Sequence, residues 1–364
     1  MSPSSRIIIS TQPGPQTAFL QSEADICIYG GAAGGGKTVG LILEALRHVA
    51  RVANFAAVFF RRTTPQITNS GALWDESLNF YPRLGGTPHF GAHEWRWPRG
   101  GKIKFSHLQF ETTVHDWQGA QIPLIGFDEL THFSASQFFY MVSRNRSTCG
   151  VRPYIRATCN PDADSWVAEF LAWWIDQQTG LPIPERAGIL RYYVRVADDI
   201  VWGVRPQDLL PYMPRPEEIP PGVDPPRPIS VTFIPAKVFD NPALLRVNPD
   251  YVSWLQSLPQ LECERLLAGN WKIRPAAGLY FKREWCAIID AAPTELDVVR
   301  YWDLAATEKT PLNDPDWTVG LKLGRGTVAT GCLMWCVRGR TPATSRDCYS
   351  IISLSRHIPV PQCR

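Results

Sequence analysis

The sequence predicts an α/β fold built around a mainly parallel sheet, and three observations predict it. Apolar β runs alternate along the chain with stretches of helical spacing, the pattern of strands joined by crossover helices. The first β run passes through a glycine-rich turn directly into a helix. A later β run ends on two adjacent carboxylates, Asp128 and Glu129.

The elements follow in chain order. Residues 1–15 hold three prolines and no periodicity, so they read as an irregular lead-in. The run Ile26-Cys27-Ile28-Tyr29 is the first strand, and Gly30 to Gly36 the turn after it. The helix that follows carries Val39, Ile42, Leu43, Leu46, Val49 and Ala50 at three- and four-residue spacing. Phe55 to Phe60 is a second strand, ending abruptly at Arg61-Arg62. His93 to Trp97 and Lys102 to Leu108 flank the turn Pro98-Arg99-Gly100-Gly101 and read as a β-hairpin. Further strands are expected at Ile122 to Phe127, Tyr154 to Cys159 and Leu190 to Val196. Pro206 to Pro235 holds ten of the 32 prolines, which reads as a stiff loop or linker, because proline neither continues a helix nor donates within a sheet. Tyr251 to Leu267 has helical spacing and ends at Gly269-Asn270-Trp271. Asp297 to Asp303 then opens a second domain, with Thr318 to Leu323 as its partner strand. No internal repeat is present.

Composition narrows the class. At 364 residues, with 45% apolar and 20% charged residues, the chain can bury a sizeable core, which excludes disorder, collagen-like repeats and a small disulfide scaffold. A net charge of +3, from 37 Lys and Arg against 34 Asp and Glu, writes no global nucleic-acid footprint and leaves room for a local basic channel. No apolar run approaches the roughly 18 to 20 residues that span a bilayer, and the N-terminal apolar stretch is too short for a signal peptide, so a soluble, cytoplasmic protein without membrane partners is expected. Of the nine cysteines, the first five sit singly in apolar segments and read as small buried hydrophobes.

The chemistry is concentrated in two motifs. Gly31-Ala32-Ala33-Gly34-Gly35-Gly36-Lys37-Thr38 satisfies G-x-x-x-x-G-K-[ST], the phosphate loop. Its glycines Gly31, Gly34, Gly35 and Gly36 let backbone N–H groups turn toward a phosphate chain, and the helix that follows adds its positive end. Lys37 is expected to reach the β- and γ-phosphates and the Thr38 hydroxyl to coordinate Mg²⁺. Asp128 would hold the metal shell, and Glu129 would orient and polarise the attacking water, the division of labour that distinguishes hydrolysis from nucleotide binding. Thr158-Cys159-Asn160-Pro161 ends the next strand with polar side chains that would face the γ-phosphate; a simple strand-end turn is the plainer reading. Arg144 and Arg146 follow the acid pair and offer a transition-state arginine, with a solvated helix end as the alternative.

These pieces, in this order, resemble the large terminase subunit of tailed double-stranded DNA bacteriophages. Further segments carry the resemblance: Phe59-Phe60-Arg61-Arg62-Thr63-Thr64-Pro65-Gln66, Asp116-Trp117-Gln118-Gly119-Ala120, Ala157-Thr158-Cys159-Asn160-Pro161, Asp240-Asn241-Pro242-Ala243-Leu244 and Leu266-Leu267-Ala268-Gly269-Asn270-Trp271. Tyr301-Trp302-Asp303-Leu304-Ala305-Ala306-Thr307 and Asp314-Pro315-Asp316-Trp317-Thr318 resemble the opening of that family's nuclease. The resemblance runs from about Gln16 to Gly326.

It implies a P-loop NTPase of RecA/ASCE-like class over residues 16–205, the proline-rich linker 206–235, and a connecting subdomain over 236–295. The first strands of an incomplete ribonuclease-H-like nuclease would follow at 296–326, then an atypical tail at 327–364. It also implies an ATP-hydrolysing motor that packages double-stranded DNA into a capsid, with ATP and Mg²⁺ bound through Lys37, Thr38 and Asp128 and Glu129 as the catalytic carboxylate. Gln16 takes the place of an adenine-contacting glutamine, Thr158 to Asn160 that of the segment coupling hydrolysis to movement, and Arg144 that of an arginine given in trans within a homo-oligomeric ring. The small terminase subunit, the portal protein of the procapsid and duplex DNA are the implied partners, in the host cell cytoplasm. Arg61, Arg62, Arg99, Lys102 and Lys104 are candidates for the DNA grip. Positions 32 to 35 are Ala-Ala-Gly-Gly, so the arginine that several family members carry inside the loop is absent.

The nuclease reads as unfinished. Two-metal cleavage needs several carboxylates around ions roughly 3.5 to 4 Å apart, and a Mg²⁺ or Mn²⁺ site would form only in a complete domain. Asp303 matches the first such carboxylate, and the sequence ends about 60 residues later. After Gly326 the only acid is Asp347, against five arginines and four cysteines. The spacing of Cys332, Cys336, Cys348 and Cys363 lacks the paired two-residue gaps of a strong zinc signature. A frame disruption or early end is therefore the expectation for the tail. The competing functional readings are another DNA-translocating ATPase or helicase, and an inactive prophage remnant.

Overall fold

A computed structural model describes residues 9–274, 286–288, 296–303, 318–325, 330–338 and 352–354. The chain divides into two compact units, residues 1–274 and 275–364.

The first unit is built on ten strands: β1 (Ile26–Gly31), β2 (Ala56–Arg61), β3 (Thr87–His89), β4 (Glu94–Arg96), β5 (Lys102–His107), β6 (Leu124–Phe127), β7 (Tyr154–Cys159), β8 (Arg191–Val196), β9 (Asp199–Gly203) and β10 (Ile229–Ala236). They form one sheet in the order β3-β4-β5-β2-β6-β7-β1-β10-β8-β9. The six central strands, β5 to β10 in that order, run parallel, and the antiparallel pairs lie at the two edges. The expected fold class, a mainly parallel α/β sheet, is what forms. The hairpin expected around residues 98–101 is the β4–β5 pair.

Parallel strands buried on both faces read as continuous apolar runs, and β1 is buried at all six positions. Alternate side chains then sort to opposite faces. Ile26 and Ile28 join Phe60, Phe127 and Ile155 in one core, while Cys27 and Tyr29 join Leu41, Phe59, Trp95 and Phe105 in the other. Around the sheet lie α1 (Pro15–Gln21), α2 (Lys37–Val49), α3 (Pro65–Thr68), α4 (Leu73–Phe80), α5 (Ala135–Val142) and α6 (Trp166–Phe170). Helix α2 buries Leu41, Ile42, Ala45 and Val49, one stripe at helical spacing, and ends with Arg47 and His48 where the helix dipole favours cations.

The proline-rich stretch needs a correction. It is not a linker throughout: its last seven residues belong to β10, which lies between β1 and β8 near the middle of the sheet. Pro235 fits because of which way it points. Phe233 accepts from the Gly188 N–H and Ala236 accepts from the Ala32 N–H, so odd-numbered positions face away from β1. Pairing with β8 stops at Val231, so the N–H that Pro235 lacks would have no strand to meet. The sheet of the first unit thus extends past residue 205.

The helical run expected from Tyr251 to Leu267 is also broken. After α7 (Pro242–Val247), it splits into α8 (Tyr251–Gln256) and α9 (Gln260–Cys263) around Pro259, then widens into a π turn, Glu264–Ala268. Gly269 closes that turn in the left-handed region, at φ 75°.

The second unit contains β11 (Cys286–Ile288), β12 (Asp297–Asp303), β13 (Thr318–Arg325), β14 (Thr330–Arg338) and β15 (Ile352–Leu354), in the sheet order β11-β15-β14-β13-β12. The expected pairing of β12 with β13 is present and antiparallel. The boundary expected at 326 is crossed, because β14 pairs with β13 along nearly its whole length. Cys348 and Cys363 of the weighed zinc set lie outside the described residues.

Candidate functional site

Helix α2 and strands β1, β6 and β7 bring the predicted chemistry to the carboxyl ends of the central strands, where parallel α/β sheets place their ligands. The loop between β1 and α2 is shaped by its glycines. Gly34 and Gly36 adopt φ of 75° and 73°, and a Cβ at Gly34 would lie 2.6 Å from the Tyr251 ring. Three consecutive loop carbonyls are held by side chains: Asn241 Nδ2 donates to Gly34 O at 2.8 Å, the Tyr29 hydroxyl to Gly35 O at 2.7 Å, and Gln16 Nε2 to Gly36 O at 2.8 Å. Ala32 and Ala33 spend their N–H groups on Ala236 O and Leu266 O, while anchoring the next three carbonyls outward suits the N–H groups of the Gly34–Gly36 stretch to an anion on the concave side.

Lys37 opens α2 and is buried, its Nζ donating to Ala32 O at 2.5 Å and to Asn160 Oδ1 at 3.0 Å. Burial pulls its pKa down, opposed by the charges of Glu129, Cys159 and Asp128. Thr38 follows on the first turn of the helix, half-buried.

The two carboxylates leave the end of β6 in different environments. Asp128 is buried, accepts a hydrogen bond from the Thr158 hydroxyl at 2.5 Å and lies 3.1 Å from Arg61 Nε. That Arg61 contact is an ion pair by distance without hydrogen-bond alignment, and Arg61 Nε and one terminal nitrogen are buried without a hydrogen-bond partner. Glu129 sits in the left-handed region at φ 59°, a sparsely populated conformation that functional sites tolerate. Its N–H donates to Thr158 Oγ1 at 3.2 Å, so one hydroxyl serves both acids. Its carboxylate is clamped by Asn160, whose backbone N–H reaches Oε2 at 3.0 Å and whose Nδ2 reaches Oε1 at 2.9 Å. Lys37, Asn160 and Glu129 therefore form one chain of hydrogen bonds.

Beside Glu129 and Asn160 lies a cavity of about 190 Å³, lined also by Arg61, His132, Asp162 and Arg265. The residues fit a nucleotide with its divalent cation: a loop whose Gly34, Gly35 and Gly36 carbonyls are anchored by side chains, a buried ammonium, a hydroxyl on the first helical turn, a buried carboxylate, and arginine nitrogens with unused hydrogen-bonding capacity. Among the described residues no group of three or more His, Cys, Asp or Glu gathers as a metal cage, so a cation here would take its protein ligands from Thr38 and Asp128 and the rest from nucleotide and water.

The structure does not bring every predicted residue together. Gln16 is buried beside the loop, but its Nε2 is used by Gly36 O and its Oε1 by the Gln12 N–H. Arg144 follows α5 and its carbonyl accepts from the Ile122 N–H, so it lies at the opposite end of β6, on the order of 20 Å from Asp128. Its guanidinium stacks over Tyr140, 5.3 Å from the ring centroid. Asp303 ends β12 in the second unit. Of the basic residues expected at a DNA grip, Arg61 faces Asp128, and Arg62 donates to Gln137 Oε1 at 2.6 Å. Sequence reasoning did not single out the parts played by Tyr29, Asn241, Tyr251 and Arg265. The last three come from a segment more than 200 residues away; Asn241 lies within one family-like motif and Arg265 beside another, while Tyr251 was marked only as the start of a helical run.

Comparison with known proteins places the chain in a family. The family model described as terminase large subunit, T4likevirus-type, N-terminal, matches residues 28–288. No curated protein matches the chain. Among solved structures, the large terminase of a thermophilic bacteriophage in complex with ADP is 13% identical, with a TM-score of 0.45, over 91% of this chain and 70% of that one. The HK97 bacteriophage large terminase is 14% identical, with a TM-score of 0.42, over 91% and 63%. The large terminase ATPase domain of Thermus phage P74-26 is 13% identical, with a TM-score of 0.42, over 71% and 93%.

Proposed function

The chain belongs to the terminase large subunit family of DNA-packaging ATPases, and from that premise we propose how its residues run the motor. ATP binds in the loop 31–38, with the β- and γ-phosphates held by loop N–H groups and Lys37 and the base end near Gln16. Thr38 and Asp128 hold Mg²⁺, which when bound neutralises developing charge on the phosphate oxygens. Glu129 polarises the attacking water. Asn160 touches both the loop lysine and Glu129, so it reports the state of the terminal phosphate to the end of β7. The observation that carries this reading is the hydrogen-bonded chain Lys37–Asn160–Glu129.

Movement of duplex DNA through backbone phosphates is the work the hydrolysis would drive. Arg144, remote from its own chain's site, suits an arginine given to a neighbouring subunit in a homo-oligomeric ring. The small terminase subunit and the portal of the procapsid, in the host cytoplasm, complete the reading. No helix among the described residues is long and apolar enough to cross a membrane. No nuclease step is assigned, because Asp303 is the sole matched carboxylate of that chemistry. ATP hydrolysis measured with and without linear duplex DNA tests the motor: stimulation by DNA and loss in Glu129→Ala are expected.

A further inference from the structure

The π turn Glu264–Ala268 is seated on the phosphate loop. The Ala33 N–H donates to Leu266 O at 2.6 Å, and Gly269, which closes the turn, lies so near that a Cβ there would sit 3.3 Å from Ala32 N. Single π turns inside helices recur at functional sites. This one carries Arg265. It lines the cavity that Glu129 and Asn160 also line, and its Nε is buried without a hydrogen-bond partner. A terminal nitrogen pairs with Glu262 one turn earlier, at 2.6 Å, which holds the guanidinium without using its remaining donors.

Charge favours a phosphate as the partner of those donors. The other arginine of the cavity, Arg61, already faces the buried Asp128 carboxylate. Among the described residues Arg265 pairs with Glu262, one turn earlier and outside the cavity lining. A planar guanidinium with free N–H groups, beside the carboxylate that would activate water, is suited to a terminal phosphoryl group.

We propose that Arg265 is an arginine supplied by the chain's own connecting segment to the terminal phosphoryl group of a bound nucleoside triphosphate. The assignment rests on the reading of loop 31–38 as the nucleotide site. Because Leu266 holds the loop through Ala33, the same turn that carries the arginine also moves with the loop. Loss of the γ-phosphate therefore releases Arg265 and frees the connecting segment from one of its ties to the site.

The test compares ADP with ATP-γ-S, which differ at the terminal group, on the full chain. Arg265→Ala is expected to weaken ATP-γ-S binding about tenfold or more, leave ADP binding within about twofold, and lower kcat for ATP by about a hundredfold or more. Arg265→Lys should recover part of the ATP-γ-S affinity. A merely structural arginine would weaken both nucleotides alike, so equal losses in Arg265→Ala and Arg265→Lys, or unchanged affinity for both nucleotides, would overturn the assignment. Failure of the unaltered chain to bind either nucleotide would instead overturn the reading of the loop.

Discussion

Replacing Asn160 by alanine removes two side-chain hydrogen bonds and leaves a third. The Nδ2 bond to Glu129 at 2.9 Å and the Lys37 bond to Oδ1 at 3.0 Å are lost, while the backbone N–H bond to Glu129 at 3.0 Å remains. Hydrogen bonds to charged groups contribute about 1.5–3 kcal/mol each, and leaving a buried ammonium short of an acceptor adds its own cost. If the clamp positions Glu129 for water activation, one such bond lost from the transition state lowers kcat by about 10- to 150-fold. Steady-state ATP hydrolysis at saturating ATP measures this, with ADP affinity as the control for an intact loop. Asn160→Asp should fall further, because it sets a second carboxylate against Glu129. A kcat that is unchanged or raised in Asn160→Ala, with ADP binding intact, would refute the reasoning: the clamp would then restrain Glu129 rather than position it.

Three other outcomes follow from the geometry. Gly34→Ala places a Cβ 2.6 Å from the Tyr251 ring at a φ of 75°, so ADP affinity measured by calorimetry should fall and the melting temperature with it; an affinity equal to that of the unaltered chain would contradict the role given to the loop's shape. Arg156→Ala removes a buried guanidinium that donates to the Ser22, Ala24 and Ile155 carbonyls and lies 3.8 Å from the buried Glu44, leaving that carboxylate to the half-exposed Arg47 at 3.0 Å; it should cost about 3–5 kcal/mol in urea unfolding, where a loss below about 1 kcal/mol would show the cluster to be unimportant. Asp25 is the acid case: burial pushes its pKa up, but Arg227, Ser230 and Arg152 outweigh that and hold it at about 2 against 3.8. A depressed carboxylate contributes stability that is present above its unfolded pKa and lost as pH falls toward 2. The unaltered chain should therefore lose about 2 kcal/mol, reduced by solvent screening, over that range, and Asp25→Asn should not show the loss.

What the sequence revealed and what it hid divide along a physical line. Strands β1, β2, β6 and β7 were legible because each is an apolar run long enough to cross a buried sheet, and the loop and acid pair were legible because phosphate chemistry demands those residues at those spacings. Strand β10 was hidden because its residues follow a run of prolines and it contains Pro235, and only the direction of the neighbouring hydrogen bonds makes a proline admissible there. The clamp on Glu129 was half visible: Asn160 was expected to face the phosphate, but its grip on the neighbouring strand's carboxylate depends on the β6–β7 register. Arg265 could not be reached from spacing at all. It enters the site through a π turn, a departure from helical period that leaves no mark in the pattern of apolar residues.

The account rests on Glu129 at the end of β6 activating water for ATP held in the loop 31–38. The most direct measurement is the rate of phosphate release from ATP by the unaltered chain beside Glu129→Ala, each with linear duplex DNA and without it. The account predicts DNA-stimulated release by the unaltered chain and none above background in Glu129→Ala. Equal rates in the two proteins would contradict it.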